Sequence, residues 1–228
     1  MKIAIIPARG GSKRIPKKNI KLFKGVPIIS RTIKKLQNSN IFDLIIVSTD
    51  SPKIAKIAKK NGVEVPFLRP KKISDDYTDT KTVIQHAIKW LKNKNIYTEF
   101  VCCVYPTSVF FNQKDLLDGY KKIKKNKWDF VFTAGKSDKS AYQAFKKKKS
   151  GSIKLLFSKF SQKRSQTIQE TYHDAGHFYW AKTEVWLSNK KIISEKSYPI
   201  IISRFRNYDV DTLEDWKAAE MFWNHRFN

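Results

Sequence analysis

Four nearly unbroken apolar runs, KIAII (2–6), LIIVS (44–48), FVCCVY (100–105) and FVFTA (130–134), constrain this chain more than any other feature. A strand with one wet face alternates apolar and polar residues. A run without alternation suits a strand buried on both faces of a parallel sheet. The segments between the runs carry helical periodicity instead. VPIISRTIKKLQNS has Pro27 near a first turn and apolar residues at Ile29, Ile33 and Leu36. SPKIAKIAKKNG offers Ser51 as N-cap, Pro52 at the first helical position and Gly62 as a stop. DTKTVIQHAIKWL places Val83, Ile84, Ala87, Ile88 and Leu91 on one stripe, and DLLDGYKKI follows at 115–123. Strand, helix, strand, helix with short joins predicts an α/β domain around a mostly parallel sheet.

After Gly135 the pattern changes. Residues 136–165 are polar, basic and weakly periodic, which predicts a protruding insert rather than a core element. Strand-like runs return at GHFYWA (176–181) and YPIIIS (198–203). A last helix begins near Thr212, its expected N-cap, with acids in the first turn. No linker divides the 228 residues, so residues 1–228 read as a single domain. Cys102 and Cys103 are adjacent in a strand and point to opposite faces, which fits buried thiols and neither a redox pair nor a metal site. No segment reaches membrane-spanning length and no signal peptide opens the chain, so a cytoplasmic location without a membrane partner is expected.

The formal charge of +26 raises the alternative of a nucleic-acid-binding protein. Most of the excess is lysine spread over helix faces and loops, with no helix-turn-helix, zinc-finger or RRM signature, so no nucleic-acid partner is expected. Such a field still attracts a polyanionic substrate. The stretch IIPARGGSKRIPKKN (5–19) concentrates Arg9, Lys13, Arg14, Lys17 and Lys18 around Gly10 and Gly11. It follows the first strand, at the carboxyl edge of the sheet where ligands usually bind. The glycines allow main-chain N–H groups to approach a phosphate. Neither the dinucleotide fingerprint nor the P-loop pattern fits the glycine spacing.

ARGGSKRIPKKN resembles the signature of cytidylyltransferases that activate nine-carbon keto acids, the CMP-sialic acid synthetase family. The resemblance continues in order through VSTD (47–50), VPFLRPKKISDDYTDT (65–80), YPTS (105–108), YHDAGHFYW (172–180) and YDVDTLEDW (208–216), and so covers nearly the whole chain. VPFLRP, YHDAGHFYW and the length look most like the pseudaminic acid branch of the family. The resemblance implies a Rossmann-like nucleotidyltransferase fold, CTP and a carboxylated keto sugar as substrates, Mg²⁺ as cofactor, and a homodimer whose protomers exchange the 136–165 insert. It also implies that Arg9, Ser12 and Lys13 hold the triphosphate, that Lys18 stabilises charge on the α-phosphate and that Asn19 contacts the nucleotide. Arg14 and Lys17 match no role and read as solvated surface.

Asp209 and Asp211 flank Val210, and in an extended segment both carboxylates point to one side and can converge on a cation. An N-cap region beside a solvated acid explains the same residues equally well; the resemblance assigns them to the metal, with Asp211 catalytic. By the same resemblance Arg69, Asp76 and Thr80 lie by the nucleotide, although Thr80 is also placed to cap the next helix and Asp76 to sit on a loop surface. Aromatics with polar neighbours suit the ring faces and hydroxyls of a sugar. Tyr105, Asp174, Phe178 and Tyr179 are therefore the candidate sugar contacts, with about half of the 172–180 aromatics expected in the core because strand residues alternate faces. Tyr105 departs from the glutamine usual in the sialic acid enzymes, and YPTS from the Tyr-Ala-Thr-Ala common in the pseudaminic branch.

Overall fold

A computed structural model of the chain describes residues 1–137 and 140–227. The strands are β1 (Lys2–Pro7), β2 (Leu22–Phe23), β3 (Val26–Pro27), β4 (Leu44–Ser48), β5 (Phe100–Val104), β6 (Phe130–Lys136), β7 (Phe145–Lys147), β8 (Ile153–Leu155), β9 (Tyr172–Lys182) and β10 (Ser197–Ile202). The α-helices are α1 (Ile28–Asn38), α2 (Pro52–Lys60), α3 (Thr80–Asn93), α4 (Gln113–Lys124), α5 (Thr183–Leu187) and α6 (Leu213–Phe227). Six strands form the central sheet in the order β10-β6-β9-β5-β1-β4. Five run parallel to one another, and β9 runs against both neighbours, β5 and β6.

The unbroken apolar runs are explained by the two layers that cover this sheet. Ala4, Ile6, Val47, Cys102, Val104, Phe178 and Trp180 face one layer, packing with Ile29 and Ile33 of α1, Ile54 of α2 and Leu116 of α4. Ile3, Ile5, Ile46, Val101, Cys103 and Tyr179 face the other, against Ile84 and Ile88 of α3 and Trp186 of α5. Cys102 and Cys103 fall on opposite faces, fully buried and free, and desolvation pushes both thiols well above their ordinary pKa.

Local chemistry fixes the helix starts. Ser51 accepts from the Ile54 N–H and Pro52 occupies the first position of α2. Asn112 and Asp115 form a reciprocal capping box at α4, and Thr212 and Asp215 exchange the same two bonds at α6. Asp79, not Thr80, caps α3 by accepting from the Thr82 N–H, which leaves the Thr80 hydroxyl for another partner.

Beyond β6 the chain leaves the sheet as an arm. Its hairpin β7–β8 is solvent-exposed, and Phe145, Ile153, Leu155, Leu156 and Phe157 all expose large apolar surface. Residues 138 and 139 of the expected 136–165 insert lie outside the described residues. Among the described residues, no helix is long and apolar enough to cross a membrane.

A buried polar knot joins α4, β9 and the segment after β10. Arg206 pairs through both guanidinium nitrogens with Asp115, the capping residue of α4. The Nε2–H of buried His177 donates to the Arg206 carbonyl at 2.8 Å. Desolvation lowers the His177 pKa to about 4, against about 6.5 for an unfolded histidine. Between those values the unfolded chain binds the extra proton, so this contribution is complete above pH 6.5 and is lost as pH falls toward 4. Chemical denaturation across pH 7 to 5 should show about 2 kcal/mol of stability loss attributable to His177. His177→Gln, which retains an N–H donor, should show a correspondingly flatter profile.

Candidate active site

The segment after β1 crosses the carboxyl edge of the sheet and enters a one-turn 3₁₀ helix at Lys18–Ile20. Its shape is held by three contacts. The Gly10 N–H donates to Asp50 Oδ1 at 2.8 Å, the Asn19 side chain donates to the Arg9 carbonyl at 2.9 Å, and Ile15 is buried. Gly10 also lies against α2's cap: a Cβ there would approach Ser51 Cβ to 3.0 Å. The Gly10 N–H is thus spent on a carboxylate, and Gly10 sits in close packing against Ser51, while a Cβ at Gly11 would meet nothing within 4 Å.

Ile15 belongs to a third apolar cluster with Phe23, Ile28, Val109, Phe110, Val210, Trp216 and Ala219. Val210 is the residue between Asp209 and Asp211, so burying it turns those carboxylates toward the cationic loop. Lys18 Nζ donates to the Val210 carbonyl at 2.8 Å and lies 3.3 Å from Asp211 Oδ1. Arg14 Nη2 reaches the same oxygen at 2.9 Å. Arg14 therefore lines the site, where sequence reasoning left it as surface; its spacing from Lys18 carried no signal of this. Lys17, with a left-handed φ of 54°, points to solvent as expected.

Between loop and carboxylates runs a cleft of about 610 Å³. It brings together Arg9, Ser12, Lys13, Lys18, Asn19, Arg69, Asp76, Thr80, Tyr105, Asp209 and Asp211. Thr78 and Thr107 line it too, and sequence reasoning passed over both, although Thr107 lies inside the quoted YPTS. Arg69 is buried, its Nε donating to Ser74 Oγ at 3.0 Å and its Nη2 lying 4.0 Å from Asp50. Desolvation lowers its pKa and the Asp50 charge offsets part of that. Asp76 pairs with Arg9 through one carboxylate oxygen and with Lys13, at 2.6 Å, through the other.

The sugar-contact candidates separate. The Thr80 and Tyr105 hydroxyls meet at 2.7 Å, the Tyr105 ring meets Tyr179 edge-on at 5.5 Å, and the Tyr179 hydroxyl donates to Asp174 Oδ2 at 2.6 Å. Tyr105 lines the cleft, whereas Asp174 and Tyr179 are not among its lining residues and Tyr179 is buried behind Tyr105. Phe178 is removed from the candidates: it points through the opposite face of the sheet and packs against Phe111 in the core. Strand alternation puts it there.

Asp209 and Asp211 suit a hard cation. Desolvation, and then the nearby Asp211 charge, raises the Asp209 pKa, so burial and a like charge both disfavour its ionised form until a cation offsets them. Gly176, with a φ of 64°, lets Asp209 lie close; a Cβ there would sit 3.2 Å from its carboxylate. Among the described residues no group of three or more His, Cys, Asp or Glu is placed to hold a metal. Two carboxylates leave most of the shell to water and phosphate oxygens, the mixture Mg²⁺ favours.

Over residues 3–224 the chain matches the protein family described as cytidylyltransferase. It is 37% identical over 225 residues to a pseudaminic acid cytidylyltransferase of Campylobacter jejuni, covering 98% of this chain and 97% of that protein. It is 30% identical over 229 residues to a CMP-N,N'-diacetyllegionaminic acid synthase of Legionella pneumophila, covering 96% and 94%. Among solved structures, a CMP:2-keto-3-deoxy-manno-octonic acid synthetase complexed with CTP superposes with a TM-score of 0.71 over 98% of both chains. At 12% identity that likeness concerns the fold alone.

Packing and charge contribute unequally to this geometry. In urea titrations Ile15→Ala should cost about 2–5 kcal/mol, as for a buried core truncation. Arg14→Ala, which removes a largely exposed ion pair, should cost about 1 kcal/mol or less.

Proposed function

The chain belongs to the cytidylyltransferase family, and we propose on that premise that it transfers CMP from CTP to a nonulosonic acid, pseudaminic acid first among the acceptors. One observation carries the reading: four of the loop's five cations and a pair of carboxylates line one cleft, joined by Arg14 and Lys18. In the reaction the anomeric hydroxyl oxygen gives up its proton to solvent and bonds to the α-phosphorus, the bond from that phosphorus to the bridging oxygen breaks, and pyrophosphate leaves. No protein nucleophile is needed, so positioning and charge stabilisation supply the catalysis.

Arg9, Ser12 and Lys13 would hold the β- and γ-phosphates, Arg as a forked donor and Lys as a point charge. Lys18, fixed by Val210 and Asp211, would stabilise charge on the α-phosphate. Asn19 would serve the nucleotide by holding the Arg9 carbonyl and so the loop. Asp209 and Asp211 would hold Mg²⁺, which when bound supplies neutralising charge to the phosphates. Arg69 and Thr80 would border the nucleotide, while Tyr105, braced by Tyr179 and Asp174, would form the sugar-side wall. A reaction that consumes CTP fits a cytoplasmic location.

The arm supports a homodimer. Five large apolar side chains are exposed between Phe145 and Phe157, more than a lone hairpin would leave to water without a partner surface.

Mixed with CTP, Mg²⁺ and pseudaminic acid, the protein should release pyrophosphate, and Asp211→Asn should lower kcat at least about a hundredfold with an unchanged circular dichroism spectrum. Release with N-acetylneuraminic, legionaminic or 3-deoxy-octulosonic acid but not pseudaminic acid would reassign the acceptor. No release with any of them would refute the reading. Light scattering at micromolar concentration should give the mass of a dimer; a monomer mass would refute the role given to the arm.

A further inference from the structure

Asp76 is a carboxylate in a cleft proposed to take a polyanion, and it lies on the two cations assigned there to the outer phosphates. One oxygen engages Arg9 and the other engages Lys13. Resting on the function proposed above, we infer that Asp76 competes with pyrophosphate for Arg9 and Lys13 and so promotes the departure of this product. The residue acts on the cations that bind the nucleotide, which replaces the direct nucleotide contact expected from sequence.

The turn that carries Asp76 is braced at both ends. Asp75 Oδ1 accepts from the Tyr77 N–H and from the N–H and hydroxyl of Thr78, at 2.7 to 3.1 Å. Downstream, Asp79 caps α3; upstream, Ser74 is tied to Arg69 and to the Pro70 carbonyl. The carboxylate is therefore presented at a fixed place opposite the loop. Arg9 and Lys13 hold its pKa below the ordinary aspartate value, so it is charged whenever the enzyme works near neutral pH.

A single carboxylate carries less charge than the β- and γ-phosphates, so CTP outcompetes it for the two cations. An unmoved anion beside them would repel the outer phosphates. After transfer, the bond to the α-phosphate no longer holds the pyrophosphate, and Asp76 competes with a ligand tethered only through cations. CMP and the CMP-sugar carry no β- or γ-phosphate to set against Arg9 and Lys13, so the competition spares them. The competition thus falls on one product.

The test is calorimetric binding of CTP, pyrophosphate and CMP to the full chain with Mg²⁺, for wild type, Asp76→Asn and Asp76→Glu, with pyrophosphate inhibition of turnover in parallel. Asp76→Asn should bind pyrophosphate and CTP about three- to tenfold more tightly. It should bind CMP as wild type does and show a matching fall in the pyrophosphate inhibition constant. Asp76→Glu, which keeps the charge, should stay near wild type. Weaker binding of CTP by Asp76→Asn would make Asp76 a ligand of the nucleotide or its metal, and unchanged pyrophosphate binding would make the ion pairs idle; either overturns the inference alone. A wild-type chain that binds no CTP removes the function it rests on, and the inference with it.

Discussion

The burial of Ile15 and Val210 in one apolar cluster is what the rest of the site depends on. It joins the loop after the first strand to the segment before the last helix; Lys18 and Val210, hydrogen-bonded across this junction, stand 192 residues apart in the chain. Charge alone could not hold that geometry, because four cations repel one another and ion pairs open to water contribute little. Burial of Ile15, Phe23, Val210 and Trp216 brings the two segments together, and the polar side chains flanking Ile15 and Val210 are then left facing each other. The buried Arg206–Asp115 pair and the His177 bond to the Arg206 carbonyl hold the same segment from its other end.

The strands and helices were legible because both-face burial writes itself as unbroken apolar runs, and helix starts carry local signals such as Ser51-Pro52. Strand direction was not: GHFYWA reads the same whether its strand runs with or against its neighbours, and β9 proves antiparallel to both. The cap of α3 was open in the sequence, because Asp79 and Thr80 are both competent and backbone geometry decides for Asp79.

The site was legible as a set of residues and illegible as a set of pairings. Arg9, Lys13, Lys18, Arg69, Asp209 and Asp211 do line one cleft. Which cation meets which carboxylate depends on the long-range packing of Val210, and no short-range pattern encodes that; the pairing of Arg14 with Asp211 and of the Gly10 N–H with Asp50 is invisible in the sequence. Phe178 and Tyr179 show the limit of composition. Neighbours in a strand serve opposite faces, so one aromatic stretch supplies both a core and the backing of a cleft wall.

The paired cysteines carry a consequence of their own. With one thiol in each layer and both wholly buried, neither oxidants nor alkylating reagents can reach them while the sheet is closed. Opening either layer exposes a different sulfur. The chain thus carries two internal clocks, each able to time the loss of one layer separately from the other.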